Sequence, residues 1–383
     1  MPHINNTART ISPLLALHHR GQSIWLDHIN RALITGGALQ RRIEYDGITG
    51  VTSNPTIFAR ALTGSSDYDD SLKQILRARP ALTNIVLAER LMIEDIQMTA
   101  DVLRPVFERT QGADGFVSLE VSPACAGDTA ATIAEARRLW FEVARLNCMI
   151  KVPATAAGIP AIEALLAQGI NINITLMFSL QHYEAVAQAY LRGISSHHGR
   201  QHVASVASIF VSRLDAVIDP LLDAIDSTES RRLRGRVALA NARRIYRRFM
   251  AIFHGEPFAD LRRQGARIQR PLWASTGTKD RAYSDVKYLD GLVAPDTVTT
   301  VPPATLDAFR DHGAVPVRSL ESFADEDEAM LADVATLGLD LTAITEQLQL
   351  DGLAAFASSY QQLLAAVAHK RQTAVGAASC RSL

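Results

Sequence analysis

Eight polar residues stand near the ends of short apolar runs: Asp27, Asn54, Glu120, Lys151, Asn173, Thr175, Ser208 and Ser275. Lys151 is the least expected of them. Cys148, Met149 and Ile150 precede it and Val152, Pro153 and Ala154 follow, so an ammonium group sits inside an apolar strand. The chain contains 34 arginines but only five lysines, at positions 73, 151, 279, 287 and 370. Arginine stays charged near neutral pH, whereas a desolvated lysine can give up its proton and act as a nucleophile. Two carboxylates, one amine and several amide or hydroxyl groups suit amine–carbonyl chemistry. The amine attacks a ketone, a carboxylate moves protons, and the neutral groups orient a polyol. Singly, each residue has another use. A strand-end Asn or Ser also makes turns, and a strand-end Lys also reaches out to water along its aliphatic stem.

Such a set works only if the chain brings the strand ends together. Eight short β-rich runs are expected at 23–28, 50–54, 115–121, 148–152, 171–177, 203–210, 271–275 and 297–301. Helical patterns separate them, among them 82–109, 128–146 (opening on an Asp128–Thr129 cap), 156–168 and 179–194. The strands are almost continuously apolar, as parallel strands covered on both faces are. The predicted fold class is therefore α/β, a single (β/α)8 TIM barrel with additional C-terminal helices, its chemistry at the C-terminal strand ends. No glycine-rich dinucleotide motif follows the first strand, which argues against a doubly wound sheet. Residues 1–20 read as an N-terminal extension. Residues 21–371 read as the barrel with its helical extension, whose last long helix ends near 371, and 372–383 as a flexible tail.

The composition narrows the partners. The chain is 48% hydrophobic and 21% charged with net charge −1. That provides no field for nucleic acid or an anionic membrane. A signal peptide or membrane span is not expected. Cys125, Cys148 and Cys380 are too few and scattered for a disulfide framework, so a reducing cytoplasm is expected. Eight arginines between 231 and 248 read as a solvated helix face, and "DEDEAMLADV" as a charged helix start. His197, His198 and His202 read as loop residues rather than a metal site, and Trp140 and Phe141 as core or helix-packing residues.

The motifs add a resemblance. "GQSIWLDHI", "GVTSNPTIF", "VSLEVSP", "IKVPATAAGIPAIEAL", "INITLMFS", "VASIFVSRLD", "RPLWASTGTKD" and "TVTTVPPATLDA" resemble transaldolases, in order, across residues 20 to 370. The likeness is to the bacterial type related to transaldolase/phosphoglucose isomerase fusions, although this chain is shorter than such a fusion. The resemblance implies a class I aldolase-type barrel without metal or organic cofactor, transferring a dihydroxyacetone unit between sugar phosphates in the pentose phosphate pathway. By motif, Lys151 is then the Schiff-base nucleophile, and Glu120 works through a water with Thr175. Asp27 takes the sugar hydroxyl proton, and Asn54, Asn173 and Ser208 hold dihydroxyacetone hydroxyls. Arg213 matches the family's phosphate-binding arginine. A second arginine common in the family stands two residues after the serine matching Ser275; here that position is Gly277, and Lys279 is expected to supply the charge. Phe210, where aldolase relatives carry Tyr, points to transfer rather than free aldol cleavage. Two alternatives stay open: an enzyme with altered sugar substrates, and a silent barrel that binds sugar phosphates. Monomer and homodimer are equally compatible with this reading.

Overall fold

The computed structural model describes residues 12–379. Eight parallel strands close into a barrel in sequence order: β1 (Gln22–Leu26), β2 (Ile48–Val51), β3 (Phe116–Glu120), β4 (Cys148–Pro153), β5 (Ile172–Met177), β6 (Ser205–Phe210), β7 (Arg270–Ala274) and β8 (Thr297–Val301). β8 pairs with β1 to complete the ring. Every expected strand is present, and helices lie between them and outside.

Alternation along each strand divides the apolar residues into two cores. Trp25, Phe116, Met149, Val206, Leu272 and Val298 fill the barrel interior. Ile24, Ile150, Val152, Ile174 and Trp273 face the helices. The N-terminal end of the barrel is plugged by a polar cluster around Asp114. Trp25 Nε1 donates to Asp114 Oδ1 at 2.8 Å, Ser23 Oγ donates to Oδ2, and Arg270 Nη1 donates to Ser23 Oγ at 2.7 Å. A Cβ on Gly50 would lie 2.5 Å from the Trp25 ring, so glycine makes room for this filling.

Four strands stop earlier than expected, β3 by one residue at Glu120, and for β2 and β7 the reason is local. β2 ends at Val51 because Asn54 caps the helix Pro55–Thr63, its side chain accepting from Ile57 N. β7 ends at Ala274 because Ser275 turns into the left-handed region with φ 54°. β1 ends at Leu26, one residue before Asp27. The helix expected over 128–146 is capped by Asp128 but stops at Val143, where Ala144 adopts φ 49°.

The C-terminal extension comprises the helices Ala324–Thr336 and Leu341–Ser379. The second continues past the end expected near 371. Positions 1–11 of the expected N-terminal extension and 380–383 of the expected tail, including Cys380, lie outside the described residues. The arginine-rich run is not simply a solvated face. Arg243 and Arg247, one turn apart on the helix Val237–Phe249, both pair with Asp327, which is fully buried. Arg247 also reaches Glu328 at 2.9 Å. The acidic helix start therefore meets half of the basic helix inside the protein. Phe141, expected to pack, is 70% exposed, whereas Trp140 packs on the core. Among the described residues no three His, Cys, Asp or Glu side chains group as metal ligands, and no helix is long and apolar enough to cross a membrane.

Candidate active site

The C-terminal ends of the strands open into a cavity of about 700 Å³. Nine of the ten residues singled out from sequence line it: Asp27, Asn54, Glu120, Lys151, Thr175, Ser208, Arg213, Ser275 and Lys279. Asn173 does not. It lies two residues nearer the N-terminal end of β5 than Thr175 and is fully buried. Its Nδ2 donates to Ser118 Oγ at 2.9 Å and its Oδ1 accepts from Ser208 Oγ at 2.7 Å, so it reaches the cavity through Ser208.

Lys151 does not extend to water; it is 7% exposed. Register places Glu120 on β3 opposite Lys151 on β4. The Lys151 Nζ lies 2.9 Å from Glu120 Oε1 and donates to the Ser53 carbonyl at 3.3 Å. Burial holds the Glu120 carboxyl above its ordinary range; the Lys151 ammonium opposes that shift and the Asp27 charge adds to it. Glu120 Oε2 and Thr175 Oγ1 are buried with no protein partner. Both residues line the cavity, so these unpaired polar atoms lie in its wall.

Asp27 follows β1 on the other side of the mouth. Its Oδ1 accepts from Thr52 Oγ1 at 2.8 Å, and Thr52 in turn accepts from Thr300 Oγ1 at 2.6 Å. Both threonines line the cavity. Neither was singled out, although each lies within a motif quoted above. Asn54 uses Oδ1 for its helix cap at 3.0 Å, which leaves its amide N–H groups as donors.

Two cations mark the far wall. Arg213, at the start of the helix Ser212–Ile225, stacks over the Phe210 ring at 5.0 Å. Lys279 lies on the loop after β7. Among the described residues neither pairs with a carboxylate. Desolvation and the Arg213 charge hold Lys279 below the ordinary lysine range. Ser275 is tied to the same corner: Ser212 N donates to its carbonyl at 3.1 Å, and their hydroxyls are 3.0 Å apart. The carboxylate of Asp280, beside Lys279, is taken by Arg234 at 2.9 Å. That of Asp215 is taken by Lys287, also at 2.9 Å. These two acids are thus engaged elsewhere, and of the cavity's carboxylates Asp27 acts on Lys279 through its charge without pairing with it.

The helix Leu341–Ser379 closes one side of the mouth with Gly352, Ala355, Phe356 and Ser359. Ser359 Oγ accepts from Thr56 Oγ1 at 2.8 Å. No sequence signal pointed to these residues, because their helical pattern shows a face but not what it covers.

A closed β/α barrel with a buried lysine against a carboxylate and two cations at its mouth is the arrangement of an aldolase-type barrel enzyme of the Schiff-base class. Comparison with known proteins gives the particular family. The model of the transaldolase/fructose-6-phosphate aldolase family matches residues 24–367. A transaldolase of Thiobacillus denitrificans is 45% identical over 91% of this chain and 97% of its own length. Transaldolases of Thermobifida fusca (44% identical, 94% of this chain and 98% of that protein) and Mycobacterium bovis (42%, 92% and 95%) are similarly close. The chain belongs to the transaldolase/fructose-6-phosphate aldolase family, and within it is an enzyme of the transaldolase kind.

Proposed function

We propose that the enzyme transfers a dihydroxyacetone unit from a ketose phosphate, sedoheptulose 7-phosphate or fructose 6-phosphate, to an aldose phosphate, glyceraldehyde 3-phosphate or erythrose 4-phosphate, through an imine on Lys151. The observation that carries this is the buried Lys151–Glu120 contact at 2.9 Å on the cavity wall. A carboxylate there takes the ammonium proton and frees the amine to attack the ketone. The carbinolamine then loses its hydroxyl as water. Glu120 Oε2 and Thr175 Oγ1 are the two unpartnered groups beside it that handle those protons through a water. Asp27 removes the proton of the hydroxyl next to the bond that breaks, and the aldose phosphate leaves. The three-carbon piece stays on Lys151 as an enamine until an acceptor aldehyde takes it up and the steps reverse.

Ser208 and Asn54 hold the hydroxyls of that piece, with Asn173 orienting Ser208. Arg213, Lys279 and Ser275 hold the phosphate. Phe210, which has no hydroxyl to shuttle protons to water, favours transfer over release of free dihydroxyacetone. A place in the pentose phosphate pathway and in the cytoplasm accords with this chemistry. Borohydride reduction in the presence of fructose 6-phosphate, followed by peptide mass spectrometry, tests the assignment. A reduced three-carbon adduct on Lys151, lost in Lys151→Ala together with activity, is expected. An adduct elsewhere, or an active Lys151→Ala enzyme, contradicts it.

A further inference from the structure

Leu176, next to Thr175, has a left-handed backbone with φ 60°. A bulky residue with a Cβ rarely adopts that conformation without outside support. Here it has a geometric effect. A regular strand would send Leu176 to the face opposite Thr175. The β5–β6 register instead breaks between Ile174 and Met177. Thr175 and Leu176 then both line the cavity, while Met177 returns to the outer core.

The break removes the Leu176 carbonyl from the strand ladder, and the C-terminal helix takes it up. Gln349, 8% exposed, donates from one Nε2 to Leu176 O at 2.9 Å and to Ala154 O at 3.1 Å. Ala154 follows the strand that carries Lys151, and its own N–H donates to Thr175 O at 2.8 Å. One side-chain amide therefore ties together the ends of the lysine strand and the threonine strand. One turn further along the helix, a Cβ on Gly352 would lie 2.9 Å from Leu176 Cδ2, so glycine lets the helix sit down on the bulge.

We propose that Gln349 is a positioning residue for the imine-forming step: it holds Leu176 left-handed and so aims the Thr175 hydroxyl at the carbon bonded to Lys151. The proposal rests on the assignment of Thr175 to proton transfer given above. On this view the C-terminal helix belongs to the catalytic apparatus and is more than a cover. Gln349→Leu removes both donors and leaves two carbonyls unpaired. Gln349→Glu keeps the shape and, when ionised, also lacks the donors; it serves if the leucine variant does not fold.

The test is rapid-quench borohydride trapping of the imine formed from fructose 6-phosphate, together with steady-state kcat and KM. Either Gln349 variant is expected to form the imine about tenfold or more slowly, since small misplacements of a reacting group have effects of that size. The KM, set largely at the phosphate, is expected to change by less than about twofold. In a Leu176→Gly background, where glycine holds φ 60° unaided, the same variant is expected to cost distinctly less. An equal cost in both backgrounds, or an unchanged imine rate, overturns the proposal. Thr175→Val separates the two readings. If it slows the imine step and the Gln349 variants do not, only the strap is wrong. If Thr175→Val leaves that step unchanged, the threonine assignment fails and the proposal with it.

Discussion

Lys279 shows how much one residue's surroundings decide. It replaces, two positions along the loop, an arginine that the family pattern places at Gly277, and an ammonium can titrate where a guanidinium cannot. Its folded pKa is lowered by desolvation and by Arg213. On the proposed assignment the charged form binds phosphate, so affinity should be full below that pKa and decline as pH rises through it. KM for fructose 6-phosphate is therefore expected to climb at alkaline pH before an ordinary lysine would titrate. A pH series of KM measures this, and Lys279→Arg is expected to flatten the climb. Lys279→Met should raise KM about tenfold at neutral pH, the size of one charge-assisted hydrogen bond of ~1.5 kcal/mol. At this scale the sequence was informative. The scarcity of lysine isolated Lys151, and the motif series located nine of the residues around the cavity. What it could not supply was the partner of each group. That Asn173 turns its amide to Ser118 and Ser208 depends on the layering of side chains inside the closed barrel, which no spacing reveals.

The elements do double duty at their ends. Asn54 both starts the helix Pro55–Thr63 and lines the cavity. The two roles use different atoms and can be separated. Asn54→Asp keeps an oxygen for the Ile57 N–H and loses the amide donors; its stability should stay within about 0.5 kcal/mol while KM rises. Asn54→Ala should lose both, at about 1 kcal/mol of stability. Denaturant midpoints set against KM for the two variants check this. Apolar runs and cap residues made the strands and helices legible, and the misjudged ends share a cause. Thr52–Asn54 and Ser275 carry residue types that fit a strand, but the chain there is already turning to place a side chain in the mouth. A left-handed Leu176 is legible from no composition, because tertiary contacts hold it against its intrinsic preference.

Across the whole molecule, the extension after the barrel is held by charge at one place and by packing over the mouth at another. Asp327 is fully buried between Arg243 and Arg247. Asp327→Asn should destabilise the fold by about 3 kcal/mol, because it leaves a buried guanidinium uncompensated. Removing the charge on both sides, with Arg243→Met in addition, should recover part of that loss, as chemical denaturation of the two variants would show. The sequence displayed both charged runs but gave no sign that they meet, since about eighty residues separate them. The plug at the other end of the barrel has a consequence for the order of events. With Asp114, Trp25 and Arg270 filling the N-terminal side, the cavity at Lys151 opens, among the described residues, at the C-terminal strand ends, and on the proposed assignment one pair of cations, Arg213 and Lys279, receives the phosphate there. If those cations are the one phosphate site, donor and acceptor are expected not to occupy the enzyme together: the first aldose phosphate leaves before the second enters. Strict alternation is then the expected course of turnover, and steady-state kinetics with both sugar phosphates varied should give parallel double-reciprocal lines, with each sugar phosphate inhibiting the other's half-reaction at high concentration.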